Sequence, residues 1–288
     1  MEAAAKTGIG PTALVAIEQH FPKAQRIVDD EVAREMLPSS AKAFIWLMRF
    51  GRLRNWLVHR TEQDTPGLWA LMMCRKRYID DQLSAARSNT AVVLNLGAGF
   101  DTRAYRLPAL ASVPVWEMDQ PQNIQAKEQR LRKVFEAVPK HVKLVPIDFE
   151  RDDVAVTLAS RGYVSNRRAF FVWEAVTQYL TETAVRTVFE FLARAAPYSR
   201  LVFTYVRKDF VDGRALYGWD RFYRKFVVAD NVWRFGMEPE AWPNFLANYG
   251  WRLTEDVGYD VLVEKYVRPT GRHLVSTPIE RIIYAQKI

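Results

Sequence analysis

The sequence predicts an α/β fold, a Rossmann-like sheet of seven mostly parallel strands with a helical N-terminal cap and a helical insertion. Three features carry this expectation. Residues 92–107, VVLNLGAGFDTRAYRL, join a short apolar run to a glycine-bearing turn and a stretch able to start a helix. Asp119 closes a second strand-like run, VPVWEMD, twenty positions after Gly99. Downstream, the apolar runs VKLVPID, AFFVWEAV and SRLVFTYV alternate with polar, helix-like stretches, an order that builds a parallel sheet with crossover helices.

Val92, Val93, Leu94 and Leu96 lack polar alternation, as expected of a strand buried on both faces. Gly97 and Gly99 then free the backbone and remove the Cβ atoms that would hold a ligand away. A carboxylate at the end of the second strand suits the ribose hydroxyls of an adenosine-containing ligand, because it can accept from both. Asp119 could also be a turn residue or a helix cap before Pro121. Where a dinucleotide fingerprint has its third glycine, this chain has Thr102, preceded by Asp101. A carboxylate there repels a pyrophosphate but tolerates a ligand whose charged groups include an ammonium and a sulfonium. S-adenosylmethionine has that form. Asp101 is also in position to cap the helix that follows.

LGAGFDTRAYRL, WEMDQP, the Asp148-Phe149 pair and WEAVTQYL together resemble the leucine carboxyl methyltransferase-like family, in particular its branch of S-adenosylmethionine-dependent methyltransferases common in actinobacteria. The resemblance runs from roughly Thr65 to the C-terminus. It implies a class I methyltransferase sheet whose last two strands, WRLTEDV and ERIIYAQKI, pair antiparallel beside the fifth. It also implies that Arg75, in CRKRYID, binds the cofactor carboxylate, that Asp148 accepts from the adenine amino group, and that Phe149 flanks the ring. Ala175 stands where the family often has glycine.

On the residues alone, Arg75 lies three after Met72 and four before Ile79, bordering a buried helix face; it either meets an anion there or snorkels to solvent. Asp148 could serve only as a strand-end turn residue. Glu174 emerges from an almost wholly apolar strand and needs a cation, supplied by the ammonium or sulfonium of the ligand or by a protein Arg or Lys. The cofactor-binding set is therefore Arg75, Gly97, Gly99, Asp119, Asp148, Phe149 and Glu174. No catalytic residue and no metal site are assigned.

The expected division is a helical cap or lid over 1–88 and a methyltransferase domain over 89–288 with an insertion at 208–246. Residues 12–37 read as two short amphipathic helices interrupted at Pro22. Between Glu35 and Glu62 there is no acidic residue, while Lys42, Arg49, Arg52, Arg54 and Arg60 alternate with Phe44, Trp46, Phe50 and Trp56. That segment, broken near Gly51, is a cap whose apolar stripe packs inward, a lid that binds an acidic substrate, or a contact with an anionic surface. The aromatic insertion at 208–246 either forms an acceptor pocket or completes the core.

A hydrophobic fraction of 49% excludes disorder, and no apolar run is long enough to span a bilayer. With one cysteine and no leader in MEAAAKTGIG, a cytoplasmic protein is expected. The net charge of +8 favours anionic partners. No recognisable RNA-binding module is present, so a small, anionic molecule is the expected partner rather than nucleic acid. Oligomeric state is not encoded legibly. None of the four histidines, His20, His59, His141 and His273, falls at a predicted strand end, which favours a methyl acceptor that needs no base. A carboxylate meets that condition, held by an arginine of the lid or by Arg103, Arg106 or Arg207. The alternatives are a phenol or other hydroxyl acceptor, a nicotinamide oxidoreductase, and an RNA-methylating protein.

Overall fold

The computed structural model describes residues 9–288; the first eight residues of the expected cap, which include most of the segment searched for a leader, lie outside the described residues. Strands β1 (Val92–Leu96), β2 (Val115–Asp119), β3 (Val142–Pro146), β4 (Ala169–Trp173), β5 (Arg200–Val206), β6 (Trp251–Gly258) and β7 (Glu280–Lys287) form one sheet in the order β3-β2-β1-β4-β5-β7-β6. The first five are parallel, and β7 runs antiparallel between β5 and β6. Every residue of β1, β2 and β4 is buried, which is why their sequences lack alternation. Strand order reverses between β1 and β4, opening a crevice beyond Leu96 and Trp173, where open α/β sheets bind ligands.

Alternate residues of each strand feed two cores. Val93, Val115, Phe170, Val172 and Val202 pack under α1 (Ile9–Glu18), α2 (Ser39–Leu47), α3 (Gly51–Asp64) and α4 (Leu68–Ala85). Leu94, Trp116, Met118, Phe171, Trp173 and Phe203 pack under α7 (Val154–Ser160) and α8 (Glu182–Leu192). The intervening α5 (Arg103–Arg106) and α6 (Pro121–Phe135) follow β1 and β2. The Thr181 hydroxyl caps α8 by accepting from Ala184 N at 3.2 Å.

Two expectations about the helical parts are corrected; for the insertion, where two readings stood open, the structure shows packing on both sides of the sheet. Residues 12–37 hold only α1; beyond Pro22 the chain makes a short 3₁₀ turn (Lys23–Gln25) and then turns without a second helix. There the Asp30 carboxylate points inward, accepting from Ala33 N at 2.9 Å and from the Thr102 hydroxyl at 2.6 Å, a local hydrogen-bonding choice that competes with helix. The basic segment does break just before Gly51, into α2 and α3, but its aromatic stripe does not pack inward. Ile45 and Met48 are the buried side chains, with Leu53, Leu57 and Val58 packed behind them, while Phe44, Trp46, Phe50 and Trp56 are exposed.

The insertion does two jobs rather than one. Its first half stacks Phe222 on Phe226 (ring centroids 4.1 Å apart) and against Trp233 (4.7 Å), on the side of α1 to α4. Its second half, α9 (Trp242–Asn248, numbering only helices longer than one turn beyond β5), enters the opposite core, with Trp242 4.8 Å from Phe203 and 5.2 Å from Phe245. Trp242→Ala is therefore expected to cost about 3–5 kcal/mol in urea denaturation, whereas Phe226→Ala, at a half-buried position, should lower the unfolding midpoint by less.

Candidate active site

At the crevice the structure forms a cleft of about 990 Å³. Arg75, Gly97, Gly99, Asp119, Asp148, Phe149 and Glu174 all line it. The fold thus gathers the seven residues from α4, the turn after β1, and the ends of β2, β3 and β4.

The turn after β1 is fixed by two backbone donors, since Gly97 N and Ala98 N both donate to Met118 O at 2.8 Å. Gly97 has φ 72°, and a Cβ there would sit 2.2 Å from Val176 Cγ2, so the position admits only glycine. Gly99 (φ 44°) donates its N–H to Asp119 Oδ2 at 2.6 Å, and a Cβ there would find only that oxygen within 4.0 Å. Bare backbone therefore faces the cleft. The other Asp119 oxygen, Oδ1, accepts from Gln120 N and from Asn123 Nδ2, each at 2.7 Å. Asp119 thus braces the turn into α6 through Gln120 N and the Asn123 side chain, without capping a helix N–H, and still has acceptor capacity on Oδ2. Burial pushes its carboxyl above the usual range, against the pull of its bonds to Asn123, Gly99 and Gln120.

Asp148 likewise combines turn and cleft positions: Oδ1 accepts from Glu150 N at 3.1 Å, and its own N–H donates to Asp152 Oδ2 at 2.8 Å. Phe149 beside it is buried.

Glu174 meets protein cations. Its Oε1 accepts from Arg75 Nε at 2.9 Å and lies 3.4 Å from Lys76 Nζ, and its Oε2 accepts from Arg103 Nη1 at 2.6 Å. Arg75 Nη1 also donates to Glu280 at 2.9 Å, and Tyr259 donates its hydroxyl to the same carboxylate at 2.6 Å. The remaining Arg75 nitrogen, Nη2, faces Met72 Sδ at 3.2 Å, a weak acceptor. Arg103 further donates to Asp80 at 2.7 Å and to Asp101, and Arg106 joins Asp80 (2.8 Å) to Asp30 (3.3 Å). Asp101 also accepts from Arg103 N at 2.8 Å, so it does cap its turn. Burial raises the Glu174 carboxyl, but Arg103, Lys76 and Arg75 outweigh it and hold the group well below the usual range. Asp101 is likewise held down, to about 2, by Arg103 and Lys76 against burial. In this lattice four cations (Arg75, Lys76, Arg103, Arg106) face five carboxylates (Asp30, Asp80, Asp101, Glu174, Glu280), leaving the cleft floor formally negative.

Sequence reasoning missed Asp30, Lys76, Asp80, Tyr259 and Glu280. Lys76 and Asp80 follow Arg75 on the same helix and were open to inspection; Asp30, Tyr259 and Glu280 arrive from distant segments with no local signal. Arg103, Arg106 and Arg207 do not line the cleft: the first two are committed to the lattice, and Arg207 pairs with Asp209 at 2.7 Å. The lid supplies Lys225 and Arg234 instead, the latter donating to Glu150 and to Tyr179 O, each at 2.7 Å. No histidine lines the cleft among the described residues.

The residues present fit S-adenosylmethionine. Bare backbone lies along one wall, a strand-end carboxylate keeps acceptor capacity, Phe149 offers an aromatic face, and the negative floor suits a cationic ligand. In addition, Gln120 Oε1, Gln178 Oε1 and Trp233 Nε1 are buried at the cleft without hydrogen-bond partners. Such atoms cost about 1–3 kcal/mol each when left unpaired, so three on one cleft indicate a polar ligand.

The sheet order and the cleft define a class I methyltransferase fold. Two solved structures share that fold at 15% identity. One is a protein of the DUF574 family from Streptomyces avermitilis MA-4680, with a TM-score of 0.59 over 80% of this chain and 88% of that one. The other is a candidate methyltransferase from Thermobifida fusca YX, at 0.58 over 81% and 87%. A protein of Mycobacterium avium (strain 104), described as a candidate S-adenosyl-L-methionine-dependent methyltransferase, is 30% identical over 261 residues, 86% of this chain and 84% of its own. Residues 8–193 match the leucine carboxyl methyltransferase family, and the chain belongs to it. It is an S-adenosylmethionine-dependent methyltransferase.

Two outcomes follow from the geometry. Arg103→Met strands Glu174, Asp80 and Asp101 and should cost about 3–5 kcal/mol in urea denaturation at neutral pH. Because Glu174 and Asp101 are depressed in the folded state, the stability they contribute is present above the ordinary carboxylate value and lost as pH falls through their folded values. Unfolding free energy should therefore drop below about pH 4, with a shallower drop in Asp101→Asn measured by the same denaturation series.

Proposed function

We propose that the enzyme methylates a carboxylate oxygen of a small acid with an apolar body. The observation that carries this reading is the lining of the cleft away from the glycine turn. There, Leu14, Ile17, Leu57 and Phe226 form an apolar surface, Lys225 and Arg234 bring positive charge from the lid, and no histidine lines the cleft among the described residues.

When bound, S-adenosylmethionine supplies a methyl group on a sulfonium, an electrophile that an already ionised nucleophile attacks in line. What the chain contributes is binding and alignment. Asp119 offers its spare acceptor capacity to the ribose hydroxyls. Asp148 accepts from the adenine amino group, and Phe149 covers the ring. Arg75 exchanges the weak Met72 contact at Nη2 for the ligand carboxylate, with Lys76 beside it. Glu174, kept ionised by its three cations, presents negative charge toward the ammonium side of the ligand. Gly97 and Gly99 let the backbone approach. The lid cations hold the acceptor carboxylate, and the aromatic lid excludes water from it.

A hydroxyl acceptor would have to lose a proton during transfer, and no histidine lines the cleft among the described residues to take it; Tyr205, near the end of β5, is absent from the lining and is pushed above its ordinary value by burial and by Asp256. A carboxylate with a pKa of about 4 needs no base. The name of the family supports the same acceptor.

The product decides between acceptors: a methyl ester releases methanol in mild base, and a methyl ether does not. We expect methanol release, with a rate that is level between about pH 6 and 8 because no enzyme base titrates there. Arg234→Ala should raise KM for the acid about tenfold with a smaller change in kcat, the pattern of a lost binding contact. A base-stable product formed at a rate rising through an enzyme pKa would reverse the assignment. In titration calorimetry S-adenosylmethionine should bind and NADH should not.

A further inference from the structure

We propose that the outer face of α2 and α3 docks on an anionic lipid bilayer. Of the nine tryptophans in the chain, seven are buried, and the two that are exposed, Trp46 (43%) and Trp56 (58%), both lie on this helix pair. Leu47 (42%) and Phe50 (52%) share the exposure. The pair does not lack an inner face that could have taken these rings. Ile45 and Met48 are buried beneath it, and Arg54 anchors α3 by donating to His20 O at 2.9 Å while stacking 4.2 Å over Phe21. The aromatic side is therefore a second apolar face, turned outward.

Charge selects the occupant. From residue 36 to residue 61 there is no carboxylate, and Arg49 and Arg52 form no ion pair among the described residues. Arg49 lies 3.6 Å over the Trp46 ring, leaving the guanidinium at the edge of the aromatic surface. Tryptophan and phenylalanine beside unpaired arginines, in a stretch without a carboxylate, is the composition of a segment lying in a lipid headgroup layer. A second copy of the chain fits poorly, because a two-fold contact would set Arg49 and Arg52 against their own images with no acid in the segment to offset them. No helix among the described residues is long and apolar enough to cross a membrane, so the contact is peripheral.

The position of this face links it to the cleft. Phe44, Leu57 and Thr61, from the same two helices, line the cleft. A bilayer on the outer face would lie about one helix diameter, roughly 10 Å, from the apolar end of the cleft. An amphiphilic acceptor held in the bilayer would then be a short distance from the site. The docking inference does not depend on the acceptor being a carboxylate.

The test is co-sedimentation of the full chain with vesicles of phosphatidylcholine alone and of phosphatidylcholine with one-third phosphatidylglycerol, alongside light scattering of the free protein. We expect binding to the anionic vesicles with a blue shift of tryptophan emission, and much weaker binding to the neutral ones. The triple variant Trp46→Ser, Phe50→Ser, Trp56→Ser should lose at least about tenfold in partitioning, and Arg49→Glu with Arg52→Glu a similar amount. These positions are exposed, so both variants should keep the wild-type unfolding midpoint. Phe135→Ser, at an exposed aromatic elsewhere, should bind as wild type. Failure of the wild-type chain to bind anionic vesicles overturns the proposal, as does undiminished binding by the triple variant. So does a dimer in light scattering that the triple variant abolishes, which would assign the face to a second copy.

Discussion

The arginine–carboxylate lattice under the cleft is the constraint on which the rest of this structure depends. Arg75, Arg103 and Glu174 are each almost wholly withdrawn from solvent. A buried charge is costly unless partners satisfy it, and breaking one pair leaves the others stranded. Here each member answers to several segments at once: α4 through Arg75 and Asp80, the turn after β1 through Asp101 and Arg103, the end of β4 through Glu174, and β7 through Glu280. Asp30 extends the network into the loop after α1. The cap, the sheet and the last strand are thereby registered to one another at the place where the cleft forms.

A second constraint couples the two turns that flank this lattice. The turn after β1 holds Gly97 at φ 72°, and the space where its Cβ would stand is taken by Val176 from the turn after β4. That second turn holds Ala175 at φ 56°, a left-handed conformation that costs an alanine roughly 1–2 kcal/mol. Ala175 N is kept in place by donating to the Thr204 hydroxyl at 2.8 Å, and Thr177 donates back to Thr204 O at 2.8 Å. The strain is tolerated because β5 holds both sides of the turn.

Much of the sheet was legible because burial on two faces writes itself as unbroken apolar runs, and the pairing of Gly99 with Asp119 was legible because a strand–turn–helix fixes their separation; the bond between them is 2.6 Å. The partners of Glu174 were legible only as a need for positive charge. Arg103 sat inside the quoted motif, but whether it faced inward depended on Asp80, which lies on another element. Glu280 and Asp30 were not legible at all, since each reaches the lattice through tertiary folding from a distant segment. The outward aromatic stripe of α2 and α3 misled for a related reason. Helical periodicity reports that a segment has an apolar face but not which of two faces turns toward the core, and here Ile45 and Met48 won that contest.

The electrostatics of the floor bear on how the site works as a whole. A sulfonium ligand is drawn to negative charge, yet a carboxylate that titrated near neutral pH would make that attraction vary with conditions. Fixing Glu174 between Arg103, Lys76 and Arg75 keeps it ionised far below neutrality while leaving the cleft floor one formal charge negative. The lining also carries Arg234 and Lys225 from the lid, beside Glu150 and Asp230. Under the proposed carboxylate reading, Arg234 and Lys225 would hold the acceptor while the negative floor takes the cationic ligand. The pairing of Arg234 with Glu150 moderates the lid charge, so an entering carboxylate competes with a carboxylate already there rather than meeting a bare cation. Under the same reading, that competition would favour acceptors that add apolar contact with Phe222 and Phe226 to their charge, and it is the physical reason to expect selectivity for an acid with a sizeable apolar body over a small hydrophilic one.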